Sequence, residues 1–380
     1  MAVPIRAPIN GSQNPNTMHM AKNRRYRLAA LAVTVWALYA SAVMAQVPVP
    51  ATGPVPYKLR VVGGLATLTQ FTRWEEPFWT KELARISGGR FSADIVAFDR
   101  AGIPGPEMLR LLQMGVVPFG TTLMSSLSAK YPQYTAPDLA GLNPDMASLK
   151  TSLTAFRPYL EKALRDQHGI EVLAIYTCPA QVIFCKKPLT GLADLSGRRI
   201  RVSSAGQADF VGALGGVPIN IPFAQIVSSL REGNIECAIT GTMSGNTLDL
   251  PAMTSHLYPM PISWGLAIFG ANRAAWEAVP PDLRALLRRE LPKLEASIWA
   301  ESTHDTEQGI ACNSGSPNCQ LGTKGRMAIV PVPPSDERRR QELFLSAVLP
   351  KWLQRCGASC AEVWSQTIGP ARHIAISPDQ

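Results

Sequence analysis

PLTGLADLSGRRIRVSSAGQADFVGALGGVPINIPFAQIVSSLREGNIECAIT, Pro188 to Thr240, is the stretch that decides the fold. Arg199–Val202 reads as a short strand, and Ala208–Leu214 as a helix stopped by Gly215-Gly216. Val217–Ile221 is the next strand. Phe223, Ile226, Val227 and Leu230 then recur at helical spacing, Gly233 ends that helix, and Glu236–Thr240 closes the unit as a strand. Alternating strands and helices of this length point to a parallel, helix-covered sheet.

Working outward, a second unit of the same kind precedes it. Tyr57–Val62 is a strand, and Phe71, Trp74 and Phe78 open a helix that runs to Gly88-Gly89. Arg90–Phe98 alternates as a strand, Pro104–Met114 is a short helix, and Phe119–Met124 is a strand. A long helix over about Met146–Gln167 leads through Gly169 to a strand at Glu171–Thr177. Two such units imply a two-lobed α/β protein with a cleft between the lobes. Beyond them, Pro259–Phe269 is an apolar stretch suited to crossing back to the first lobe, Leu283 to about Gln308 is a helix, and Pro334–Leu353 holds the last one. Arg338–Arg340 is expected on the solvent side of that last helix.

The N-terminus has a different character. Lys22 to Arg27 is basic, Leu28–Val43 is apolar but short for a membrane span, and Val43 and Ala45 are small residues ahead of Gln46. That is the pattern of a secretory signal over residues 1–45, followed by a Pro-rich linker over 46–56. The whole chain of 380 residues carries a net charge of +9, but five basic residues and no acid lie in that first segment, so +4 remains on the rest. The remaining basic residues are scattered, which argues against a nucleic-acid partner. Export fits the seven cysteines, whose spacing suggests three local disulfides: Cys178 with Cys185, Cys312 with Cys319 and Cys356 with Cys360, leaving Cys237 over. No Cys-x-x-Cys pair is present to favour zinc, and reduced thiols on one helix face remain an alternative for Cys356 and Cys360. There is no His-Glu-x-x-His, Gly-x-Ser-x-Gly or phosphate-cradling glycine motif, so the chain reads as a binder rather than an enzyme, with no cofactor implied.

The combination of motifs resembles the DctP-type solute-binding proteins of tripartite ATP-independent periplasmic (TRAP) transporters over about Tyr57 to Arg289. The residues that carry it are Asp194-Leu195-x-Gly197-x-x-Ile200-Arg201-Val202, Leu214-Gly215-Gly216-Val217-Pro218, Phe223-Ala224-Gln225 and Leu230-x-x-Gly233-x-Ile235-Glu236-Cys237. Ser87–Val117 and Asn272–Ala285 (NRAAWEAVPPDLRA) agree with it in the first lobe. The resemblance implies a type II-like periplasmic binding fold and a periplasmic location. It also implies a small organic acid as ligand and the membrane subunits of a sodium-coupled transporter as partners. The lobes are then expected as 57–177 plus about 265–310, and 178–264, with a C-terminal cysteine-bearing loop, helix and tail over 311–380.

The same resemblance assigns Arg201 to the ligand carboxylate, a pairing suited to the planar guanidinium. Phe223 matches a position that packs over the ligand. Ser204 and Thr240 match polar cleft positions, though each is also an ordinary turn or strand-end hydroxyl. Trp264 is placed either to stack on the ligand or to pack in the core. Gln181 stands where many relatives that bind sialic acid or dicarboxylates have a second arginine, which argues for a monocarboxylate or a ligand whose other end is uncharged. Glu236-Cys237 departs from the usual Asp-Gly, and the Cys312–Cys319 loop looks like an insertion. A tricarboxylate-transporter-type binding protein and an exported ligand sensor are the competing readings.

Overall fold

The computed structural model describes residues 57–376. The expected signal and linker lie outside them, and no helix among the described residues is long and apolar enough to cross a membrane. Among the described residues, eleven strands form two sheets. In chain order they are β1 (Tyr57–Gly63), β2 (Phe91–Ala97), β3 (Phe119–Leu123), β4 (Ile170–Tyr176), β5 (Gln181–Cys185), β6 (Arg199–Val202), β7 (Val217–Asn220), β8 (Cys237–Gly241), β9 (His256–Ser263), β10 (Ala267–Asn272) and β11 (Ala328–Ile329). The first sheet runs β2-β1-β3-β10-β4 and the second β11-β9-β5-β8-β6-β7.

Neither sheet is purely parallel, a departure from the expectation. β10 runs antiparallel to both neighbours in the first sheet, and β5 does so in the second. Each reversed strand is the first one laid down after the chain crosses between the sheets. The crossings are short, from β4 through Thr177–Ala180 into β5 and from β9 through Trp264–Leu266 into β10. A connection of three or four residues cannot return the chain to the starting edge, so the arriving strand runs the other way. For the same reason the apolar stretch Pro259–Phe269 is not one strand. It is split at Gly265, whose φ of +82° is open to glycine at little cost.

The helix Pro281–Ser314, of 34 residues, spans about 50 Å at the usual rise and extends past the expected end near Gln308. Leu283, Leu287, Leu291, Leu294 and Ile298 recur on one face and pack with Val61, Phe119, Tyr176 and Phe269 of the first sheet. Farther along, Glu295, Trp299, Ser302 and Thr306 form a polar row. They bond to Ile175 N (2.9 Å), Ile175 O (2.8 Å), Thr177 O (2.7 Å) and Ala180 N (3.0 Å), which fastens the first crossing to the helix. At Gly309 a Cβ would fall 2.3 Å from Met243 N, so only glycine lets the helix meet the second lobe there.

The C-terminal helices bind both sides. Trp352 Nε1 donates to Pro132 O (2.7 Å), while Asp336 accepts from Leu192 N (2.8 Å) and Tyr258 Oη (2.5 Å). Arg340 is buried, contrary to its expected place in solvent, because it shares a helix face with Leu343 and Phe344 and donates to Gly141 O and Glu337.

The disulfides require one correction. Cys312–Cys319 and Cys356–Cys360 form as expected, but Cys185 pairs with Cys237, and Cys178 is a buried free thiol. The register of β5 against β8 sets Cys185 directly opposite Cys237. Cys178 lies in the crossing before β5, and an extended strand carries Cys185 away from it.

Candidate functional site

The carboxyl ends of β1 and β3 in one sheet and of β6, β7 and β8 in the other converge on a cavity of about 50 Å³, where open α/β sheets place their ligands. From the second sheet come Arg201, Ser203, Phe223 and Thr240, with Gln181 at the start of reversed β5 and Ser244 just beyond β8. From the first come Leu65, Leu68 and Leu123, and the two crossings contribute Cys178 and Gly265.

Arg201 is 4% exposed, so its guanidinium has given up nearly all its water. Nε donates to Ile221 O (2.9 Å) and Nη1 to Ile239 O (2.7 Å), both neutral carbonyls. Burial draws its pKa down to about 10, with no acid opposing the shift, so it stays charged at neutral pH. A buried cation with unused N–H donors and no paired carboxylate among the described residues is costly to maintain, and an incoming anion would offset that cost.

Gln181 is oriented by a residue the sequence reading missed. Gln207, 1% exposed on the helix Ala205–Ala213, accepts Ser203 N (2.8 Å) and Ser203 Oγ (3.1 Å) through Oε1. The backbone N–H can only donate, so it fixes which end of the Gln207 amide is oxygen. Gln207 Nε2 then donates to Gln181 Oε1 (2.7 Å) and Ser263 Oγ (2.8 Å). The Nε2 donor of Gln181 is thereby left for another acceptor, close against Gly265, where a Cβ would fall 2.5 Å from it. Helical spacing of Gln207 from Ser203 and Ser204 was visible in the sequence, but not the chain crossing that brings Gln181 to it.

Four of the six expected residues therefore line one cavity: Arg201, Gln181, Phe223 and Thr240. Ser204 does not. Its side chain accepts Gln207 N (3.2 Å) as the N-cap of the following helix, and Ser203 takes the cavity position. Trp264 also lies off the cavity, buried, with Nε1 donating to Asn143 O (3.1 Å).

Behind the first-lobe wall, acids are buried without cationic partners among the described residues. Glu75 accepts Gly64 N (2.6 Å), Gln70 Nε2 (2.7 Å) and Thr121 Oγ1 (3.3 Å), yet burial outweighs these bonds and pushes its carboxyl up to about 7. Asp138 holds the second crossing by accepting Trp264 N (2.8 Å) and Gly265 N (2.7 Å), and burial raises it to about 6. Burial, reinforced by these acids and Asp305, pushes the Cys178 thiol up to about 12, so it is not a reactive thiolate.

Two sheets joined by short crossings, with a polar cavity at the junction, define a two-lobed binding protein. Residues 72–313 match the DctP model, bacterial extracellular solute-binding protein, family 7, and the chain belongs to that family. Solved structures agree in fold. An extracytoplasmic solute receptor of Bordetella pertussis that binds pyroglutamic acid is 21% identical, with a TM-score of 0.72 over 81% of this chain and 98% of that one. A TRAP periplasmic solute-binding protein from Desulfovibrio salexigens with bound orotic acid is 17% identical, with a TM-score of 0.73 over 84% and 100%. One from Sulfurospirillum deleyianum with bound succinate is 17% identical, with a TM-score of 0.69 over 82% and 100%.

Proposed function

We propose that this protein is a periplasmic receptor that captures a small organic carboxylate and delivers it to the membrane subunits of a sodium-coupled TRAP transporter. The observation that carries this reading is the buried, acid-free guanidinium of Arg201 in the cavity between the lobes. Gln181 Nε2 and the Ser203 and Thr240 hydroxyls add polar contacts, while Phe223 and the leucines supply apolar surface. A cavity of about 50 Å³ suits a small acid admitted when the lobes part and enclosed when they close. The carboxylates bound by similarly folded proteins, pyroglutamate, orotate and succinate, belong to the same chemical class. The basic and apolar N-terminal segment and the membership in an extracellular family support export.

The test is calorimetric titration of the purified protein with pyroglutamate, orotate, succinate and simple monocarboxylates. Arg201→Ala should weaken the best of them by a hundredfold or more, corresponding to about 3–5 kcal/mol for stranding one partner of a buried charge pair. An affinity within threefold of the wild type overturns the assignment.

A further inference from the structure

A second, smaller cavity of about 10 Å³ abuts the first, and Leu68, Cys178 and Ser244 line both. Its far side is the helix Pro281–Ser314, from which Asp305 faces it. Asp305 is 1% exposed. Its Oδ2 accepts from Thr69 Oγ1, but Oδ1 is buried with no hydrogen-bond partner among the described residues. Neighbouring Glu301 is engaged by Arg73 (2.8 Å), while Asp305 makes no ion pair among the described residues; burial raises its pKa, and the Thr69 bond and the nearby Arg73 lower it in part. Such an orphan acceptor is expensive to bury, and native proteins keep one mainly where something else supplies the donor.

The ligand region therefore has two ends of opposite character, the Arg201 guanidinium in the second lobe and the Asp305 carboxylate on the long helix. A volume of about 10 Å³ admits one group the size of a water molecule, and the carboxylate favours a cation among groups of that size. Trp74 lines the same space, and its Nε1 is buried without a hydrogen-bond partner among the described residues. We propose that Asp305 is a second recognition group of the ligand site and takes an ammonium, so that the solute is a zwitterionic amino carboxylate. This rests on the reading of Arg201 as the carboxylate partner and extends it to the opposite end of the ligand.

Matched pairs test it by calorimetry on the purified protein: glycine with acetate, L-proline with cyclopentanecarboxylate, 4-aminobutyrate with butyrate, and 5-aminovalerate with valerate. At the spacer length that fits, the amino acid should bind at least tenfold more tightly than its desamino partner. Asp305→Asn, which keeps the shape and the acceptor for Thr69, should erase that preference and leave the desamino affinity within threefold. If desamino acids bind through Arg201 as well as their amino partners in every pair, the subsite is overturned and the carboxylate reading stands. That is also the outcome for a lone water bridging Asp305 Oδ1 and the unpartnered Trp74 Nε1. A preference that survives Asp305→Asn overturns the proposal, and so does failure of every probe in both series to bind. Failure of every carboxylate, the pyroglutamate, orotate and succinate titrations included, overturns the parent reading with it.

Discussion

The two walls of the cavity handle polarity in opposite ways. The second-lobe wall turns its polar groups toward the ligand space: Arg201 with free donors, Gln181 with Nε2 unused, and Ser203 and Thr240 beside them. The first-lobe wall shows Leu65, Leu68 and Leu123 and keeps its acid Glu75 behind them as an acceptor for Gly64 N. On the proposed reading, the second-lobe wall recognises the carboxylate and the first-lobe wall covers it. The difference follows from satisfaction. Burial draws Glu75 toward its protonated form against the donors of its own lobe that satisfy it, whereas Arg201 has only two carbonyls and remains charged.

The largest effect should separate the walls directly. Arg201→Lys keeps the charge but loses the planar fork, and titration should show at least a tenfold loss in carboxylate affinity, less than the hundredfold or more for Arg201→Ala. Leu123→Ala on the covering wall should cost less than either, and a larger loss there than at Arg201 would reverse the assignment of the walls. Next comes pH. Because the folded pKa of Glu75, about 7, lies above the ordinary 4.5, its contribution to stability is full below pH 4.5 and is lost as pH rises through 7. That swing is about 3 kcal/mol. Asp138, raised to about 6 from 3.8, acts in the same direction. Denaturation across pH 4.5 to 8 should show Glu75→Gln with a flatter profile than the wild type; parallel profiles would contradict the burial argument.

A smaller effect should follow from Gln207→Leu, which releases Gln181 and Ser203 without touching Arg201. Affinity should fall roughly tenfold, in line with about 1–2 kcal/mol for lost buried hydrogen bonds. No change would mean that the amide network does not order the recognising wall. Least of all, Ser204→Ala should cost about 1 kcal/mol of stability as a lost N-cap and leave ligand affinity unchanged. A loss of affinity without loss of stability would return Ser204 to the cavity.

Arg201, Phe223 and Thr240 were legible because each sits at or just beyond the end of a strand in a unit whose periodicity and motifs are contiguous in the chain. Ser204 was displaced by one residue: the turn that ends β6 needs a cap, and the residue in that place is Ser204 while Ser203 faces the cavity. Gln207 and Asp305 were not legible, since a glutamine in one helix and an aspartate in another show nothing until distant elements meet. The pairing of Cys185 with Cys237 was missed for the same reason, being a consequence of strand register across 52 residues.

Local order along the chain by itself determined two α/β units, their glycine stops, the place of Arg201 on a short strand and two of the three disulfides, because each depends on neighbours within a few residues. Tertiary structure alone decided that each sheet carries one reversed strand, that the long helix fastens the first crossing, and that Arg201 and Asp305 line adjoining cavities. Those features depend on which groups are removed from water together, and burial of that kind is set by the packing of distant segments.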